Sequence, residues 1–256
     1  IVSRDWSSDV CSSDLDECRK FEPLTIRAVA TSAVREASNQ KDFVSRAKKE
    51  AGLEIDVISW EEEAGLMVKG VLWKLLNIEK DILVFDIGGG STEFLLARDR
   101  KIVSAVGTQL GTVRLTEKFI SHHPIDVNEY KALETHFRRE LKLVEEKLSD
   151  FPPEVLVGTA GTVTTLAAID GDVYPYDPEA IHGRSLTFKR VEELLEDLKN
   201  KSLTERSAMR AIEKGREDLI IAGGALVLET MRVFGCNLLT VSEHGLREGL
   251  VLDTLS

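Results

Sequence analysis

The 256 residues carry a formal net charge of −11 and an ordinary 43% of hydrophobic side chains, which suits one large α/β unit or two lobes with a sizeable core. The acidic balance argues against DNA held on a basic face, and no apolar run approaches the roughly 18–20 residues needed to span a bilayer. Cys11, Cys18 and Cys236 form no CxxC pair and read as reduced cytoplasmic thiols. His122 and His123, beside Pro124, read as loop residues rather than metal ligands.

Ile1–Leu15 has neither helix nor strand periodicity and repeats Ser-Ser-Asp. Asp9–Leu15 is what GAC GTG TGC TCT TCC GAT CT encodes, which resembles a sequencing-adapter end, so residues 1–15 are expected to be foreign to the fold. From there the pattern is regular. A strand is expected at Thr25–Thr31, a helix at Asp42–Ala51 stopping near Gly52, a strand at Ile55–Ile58 and a long helix at Glu61–Leu76. Ile82–Ile87 reads as a buried strand, followed by strands at Phe94–Ala97 and Lys101–Val106 around a turn at Arg98–Arg100. Helices at Leu115–Phe119 and Asn128–Leu148 precede a buried strand at Val155–Gly158 and a small-residue helix at Thr162–Ile169. After a polar loop around Tyr174–Pro178, helices are expected at Lys189–Lys199, Thr204–Lys214 and Asp218–Phe234. A strand at Leu238–Val241 and a helix at Gly245–Leu255 complete the pattern.

Three turns have the composition of phosphate sites. In Asp86-Ile87-Gly88-Gly89-Gly90-Ser91-Thr92-Glu93, three glycines after a buried strand let backbone N–H groups approach an anion, and Ser91 and Thr92 add hydroxyls. Asp86 and Glu93 bracket the loop with carboxylates, which suits a hard cation such as Mg²⁺ bridging to phosphate. No Gly-Lys-Ser/Thr follows, and the chain continues as strand, so neither a P-loop nor a dinucleotide-binding turn fits. Gly158-Thr159-Ala160-Gly161-Thr162 has the same character before a helix N-terminus; taken alone it is equally an ordinary strand-to-helix turn. At Ala30–Ala37 a strand ends in hydroxyls and Arg35 follows, which suits a phosphoryl group or a plain surface arginine. Ser59 with Glu62 fits a helix capping box that also explains Glu61, but Glu63 lies on a partly apolar face and could act as a general base.

Taken in order, Ala30–Ala37, Glu61–Ala64, Asp86–Glu93, Gly158–Thr165, Asp177, His182-Gly183, Gly215–Asp218 and Ser242–Gly249 resemble the exopolyphosphatase/guanosine pentaphosphate phosphatase family. The resemblance implies an α/β, actin-like ATPase (ribonuclease H-like) fold of two lobes with the first incomplete. Residues 16–78 would be the remnant of the first lobe and 79–237 the second, with 238–256 packing back towards the first. It implies Mg²⁺-assisted hydrolysis of terminal phosphoanhydrides of polyphosphate or pppGpp, in the cytoplasm and in some members as a homodimer. Glu63 matches the water-activating glutamate, Arg35 the phosphate-binding arginine, and Asp86 and Glu93 the carboxylates near metal and water. Gly88, Gly89, Gly90, Ser91 and Thr92 match the phosphate loop, and Gly158, Thr159, Gly161 and Thr162 the second loop. Trp60 stands where the family usually has glycine. The family's leading strand and Asp-Ile-Gly-Ser/Thr-Asn-Ser loop are missing, so weak stability and weak activity are expected of this chain. The sequence stops soon after Gly249, so the C-terminal domains of longer relatives are expected either to be missing from it or never to have been present. The alternatives are a silent polyphosphate or alarmone sensor and a kinase or ATPase of the same superfold.

Overall fold

A computed structural model describes residues 15–22, 25–75, 81–148 and 152–255. Of the expected foreign segment, only Leu15 falls within them, and Cys11 lies outside. The contacts divide the chain into two compact units, 1–63 and 64–256, where the resemblance implies a boundary at 78.

In the first unit, β1 (Ala28–Ala30) and β2 (Ile55–Val57) pair in parallel, Ala28 opposite Ile55. A parallel pair needs a crossover, and it is made by α1 (Ser32–Arg35) and α2 (Gln40–Arg46), the latter prolonged by a π-helical turn over Ala47–Ala51. Gly52 stops that helix in the left-handed conformation, φ 68°, its N–H donating to the Lys48 carbonyl. The expected turn after β1 is therefore a short helix with Arg35 at its end.

Helix α3 (Trp60–Val71) begins in this unit and continues into the next. It ends before the Leu76 expected from periodicity, and residues 76–80 lie outside those described.

The second unit is built on a six-stranded sheet. Its strands are β3 (Ile82–Ile87), β4 (Thr92–Arg98), β5 (Lys101–Thr108), β6 (Val155–Thr159), β7 (Ser185–Thr187) and β8 (Leu238–Val241), in the order β5-β4-β3-β6-β8-β7. An antiparallel meander, β3-β4-β5, continues through parallel β6 and β8. This is the ribonuclease H-like arrangement that the resemblance implies. The apolar run of β3 is buried throughout except at Asp86, as a central strand covered on both faces requires.

The helices are α4 (Thr112–Phe119), α5 (Val127–Lys147), α6 (Gly161–Gly171), α7 (Pro178–Ile181), α8 (Phe188–Lys199), α9 (Leu203–Ser207), α10 (Leu219–Val233) and α11 (Leu246–Thr254). Helix α10 is buried along nearly its whole length, the property of a helix that is apolar all round. Two differences from the sequence pattern matter. The helix expected over Thr204–Lys214 stops at Ser207: a capping box of Ser202 and Glu205 starts it, then Ile212 is drawn into the core and Gly215 turns the chain at φ 84°. Strand β7 was not expected, because three residues with only Leu186 buried carry no readable alternation. No helix among the described residues is long and apolar enough to cross a membrane.

Candidate active site

In the first unit the structure brings together two of the expected residues. Arg35 donates from Nη1 to Glu63 Oε2 at 2.8 Å and to the Ile58 carbonyl at 2.9 Å. The Glu63 side chain is 12% exposed, whereas Glu61 and Glu62 are exposed residues. The Glu62 N–H donates to Ser59 Oγ at 3.1 Å, so Ser59 caps the helix as its position suggested. Glu62 pairs with Arg27 at 3.5 Å in an exposed position, so Glu63 is distinguished by its half-buried setting and its short charge-assisted hydrogen bond.

In the second unit the glycine loop joins β3 to β4. The antiparallel register sets Asp86 directly opposite Glu93, and the parallel register with β6 sets Asp86 beside Thr159. Cross-strand neighbours point to the same face of a sheet, so Thr159, Asp86 and Glu93 form a row. Ser91 Oγ donates to Glu93 Oε1 at 2.6 Å and orients it. The Gly88 N–H closes the loop on the Ser91 carbonyl at 2.9 Å.

The carbonyls of Gly88 and Gly89 accept from the Thr112 and Val113 N–H groups at the start of α4, both at 3.0 Å. The start of α4 is therefore occupied by the loop. Thr92 is fully buried, and its hydroxyl donates inward to the Leu110 carbonyl at 2.6 Å.

The close approach of the loop depends on Gly111, which the sequence pattern did not single out. A Cβ there would lie 2.2 Å from the Gly90 carbonyl carbon and 2.3 Å from the Gly89 oxygen. Its need is a tertiary contact, with no local turn signature. Gly111→Ala is expected to displace the loop, cost about 1–3 kcal/mol by overpacking and weaken phosphate binding. Thermal unfolding with inorganic phosphate titration checks this, and an unchanged affinity counts against the loop as the binding element.

The second loop divides its tasks. Gly158 packs against Phe85, where a Cβ would meet the ring at 2.7 Å, and Thr162 packs against Gly223 of α10. Thr159 Oγ1 donates to the His244 carbonyl at 3.1 Å. Ala160 takes φ 72° to turn the chain into α6, a conformation that costs a non-glycine residue energy. Gly161 opens the helix with Arg216 laid against it, its Nη1 only 1.8 Å from where a Cβ would sit.

Asp86, Thr159 and Gly161 line a cavity of about 630 Å³ together with Arg210, Arg216 and Glu243. Leu246 and Arg247, at the start of α11, complete its rim. A second cavity of about 420 Å³ lies along Gly88, Gly89, Thr162 and Gly215, with Arg216 common to both. The sequence pattern assigns no role to Arg210, Arg216 or Glu243; Arg216 and Glu243 fall only within the short segments 215–218 and 242–249 that carry the resemblance, and Arg210 within none.

Burial raises the Glu243 carboxyl above its ordinary range, although the Tyr176 hydroxyl, donating to it, works the other way. Above that raised pKa an ionised Glu243 repels an entering anion. Glu243→Gln is therefore expected to bind pyrophosphate roughly three- to tenfold more tightly at pH 8. The difference closes as pH falls and Glu243 itself becomes neutral. Calorimetric titration at both pH values checks this; equal affinities at pH 8 contradict it.

The profile of the Ppx/GppA phosphatase family matches residues 15–256. The chain belongs to the Ppx/GppA phosphatase family. Among solved Ppx/GppA structures, that of Aquifex aeolicus is 34% identical and superposes with a TM-score of 0.86 over 97% of this chain and 81% of its own. An exopolyphosphatase of Cytophaga hutchinsonii is 26% identical, TM-score 0.85, over 96% of this chain and 80% of its own. The fold is thus the α/β, actin-like one shared with these Ppx/GppA proteins. In sequence, exopolyphosphatase 2 of Mycobacterium tuberculosis is 32% identical over 89% of this chain and 74% of its own length. A bifunctional 3-dehydroquinate synthase/phosphatase of Fusobacterium nucleatum is 34% identical over 91% of this chain, which spans 35% of that longer protein.

Proposed function

We propose that this Ppx/GppA chain hydrolyses the terminal phosphoanhydride bond of inorganic polyphosphate, or of pppGpp, and releases orthophosphate with Mg²⁺ as cofactor. The observation that carries the reading is the row Thr159–Asp86–Glu93 beside the glycine loop. The relatives named as exopolyphosphatases support it.

The donor set fits Mg²⁺. Asp86 and Glu93 are adjacent carboxylates, and no cluster of three or more acidic, His or Cys ligands occurs among the described residues. Mg²⁺ favours such sites, keeping waters and completing its shell with substrate phosphate oxygens. The larger cavity also offers Arg210, Arg216 and Arg247 against Asp86, Glu213, Glu243 and Glu248. A wall so balanced cannot by itself neutralise a polyanion. When bound, the cation supplies that missing charge.

The chain's own residues do the rest. Glu63 accepts a proton from the attacking water, whose oxygen bonds to the terminal phosphorus while the bridging P–O bond breaks. The shortened chain leaves with the negative charge on its new terminal oxygen. Arg35 holds Glu63 and presents a planar cation to the phosphoryl oxygens. Backbone N–H groups of Gly88–Ser91 and of the Gly158–Thr162 turn donate to the non-bridging oxygens, where charge develops. The reading includes a cytoplasmic setting, which suits the free thiols Cys18 and Cys236, and assembly as a homodimer, as the resemblance implies.

Phosphate release from long-chain polyphosphate and from pppGpp, with Mg²⁺ and with EDTA, tests it. Release that EDTA abolishes is expected, and the preferred substrate fixes the branch. Tight polyphosphate binding without release would move the assignment to a sensor.

A further inference from the structure

Arg206, at the end of α9, is completely buried. Its Nη1 donates to the Leu198 carbonyl at 3.1 Å, in the last turn of α8, and its Nη2 bonds to His123 Nδ1. Its Nε has no partner, and among the described residues no carboxylate forms an ion pair with it. The acids whose attraction it feels are Glu217 and Asp218. A guanidinium taken out of water without an ion pair is costly, and a site needed only for packing is better filled by an apolar side chain.

The residues between explain what that cost maintains. Segment 208–218 leaves α9 as a series of turns: Met209 N–H to the Arg206 carbonyl, Ile212 N–H to Met209, Arg216 N–H to Glu213. Glu217 folds back to accept from the Gly215 N–H at 2.6 Å. This segment presents Arg210 and Arg216 to the larger cavity and Ile212, Gly215 and Arg216 to the smaller one. Arg206 stands at its entry, and Glu217 and Asp218 stand at its exit. The buried guanidinium therefore pins the entry of the segment to the last turn of α8 and to His123, on the side where Asp218 and Glu217 close it. Within the stretch Ile212 is buried in the core, with Met209 and Ala211 packed against it.

We infer that Arg206 is a positioning residue for substrate binding: its buried guanidinium fixes segment 208–218 and so holds Arg210 and Arg216 at the walls of the two cavities. The inference rests on the phosphohydrolase reading for its substrate, but not for its geometry.

The test compares Arg206→Lys, Arg206→Met and, as a purely structural control, Leu141→Ala in the α5 core. Tripolyphosphate binding, KM and kcat are measured beside hydrogen exchange across 208–218. Arg206→Met is expected to weaken tripolyphosphate roughly tenfold, about the loss of one charged hydrogen bond, with KM rising alike and kcat at saturation preserved. Arg206→Lys keeps the charge but not the fork, so it recovers part of the affinity. Exchange rises in 208–218 alone. Leu141→Ala lowers the melting temperature and leaves KM unchanged. Unchanged exchange in 208–218, or unchanged tripolyphosphate affinity with altered exchange, overturns the inference. Should the parent chain neither bind nor hydrolyse, the phosphohydrolase reading falls, and the exchange data alone decide whether Arg206 fixes the segment.

Discussion

Glu63→Gln is expected to lower kcat for phosphate release by roughly 10²–10⁴-fold, the usual contribution of a general base, with substrate binding nearly unchanged. Gln keeps the shape of Glu and offers Arg35 a carbonyl oxygen in place of the carboxylate, and Arg35 retains its bond to the Ile58 carbonyl. What disappears is the ability to take a proton. A fall in kcat without a rise in KM is the signature of an interaction made only in the transition state. The neighbouring Glu62→Gln provides the contrast. Glu62 is exposed, its backbone N–H donates to Ser59 Oγ whatever its side chain, and its carboxylate makes only a surface ion pair with Arg27, so its turnover should match the parent. If both variants fall alike, the loss reports helix-start electrostatics and Glu63 is not the base.

Asp86→Asn is expected to cost roughly 10²–10³-fold in kcat/KM, of the order found when a group stabilising transition-state charge is removed, and to raise the Mg²⁺ concentration needed for half activity. Asp86 is the central member of the row across β6, β3 and β4, and the one residue of β3 that is not fully enclosed. Asn preserves strand pairing and volume, so folding should persist. The charge balance of the cavity makes the consequence large: with Asp86 neutralised, Glu93 is the remaining carboxylate of the pair opposite the glycine loop. Metal dependence unchanged from the parent would remove Asp86 from the cation site.

Much of this arrangement was legible in the residues. Ile82–Ile87 declares a buried strand by its composition, and three glycines between two carboxylates declare a loop that approaches an anion. The strand after Glu93, rather than a helix, separated the loop from nucleotide-binding turns of other folds. Glu63 was less legible, since first-turn acids also serve the helix dipole; its hydrogen bond to Arg35 is a contact between residues 28 apart.

The residues that stayed hidden share a physical reason. Arg210 and Arg216 ride on turns that have no periodicity, and the pattern there favoured a helix that Ile212 and Gly215 interrupt. Gly111 is required by the approach of Gly89 and Gly90, a packing fact that no local window contains. Thr92 illustrates the converse. Its hydroxyl suggests a donor to a ligand, but it donates to the Leu110 carbonyl. Residue type suggested the candidates, and tertiary packing decided which of them face the cavities.

The most direct measurement is polyphosphate turnover in ¹⁸O-labelled water, following both chain length and the isotope content of the released phosphate. Water attack at the terminal phosphorus predicts chains shortened one phosphate at a time from the end, each released phosphate carrying one solvent oxygen. Release of internal fragments, or phosphate transferred to another acceptor without solvent oxygen, would contradict it.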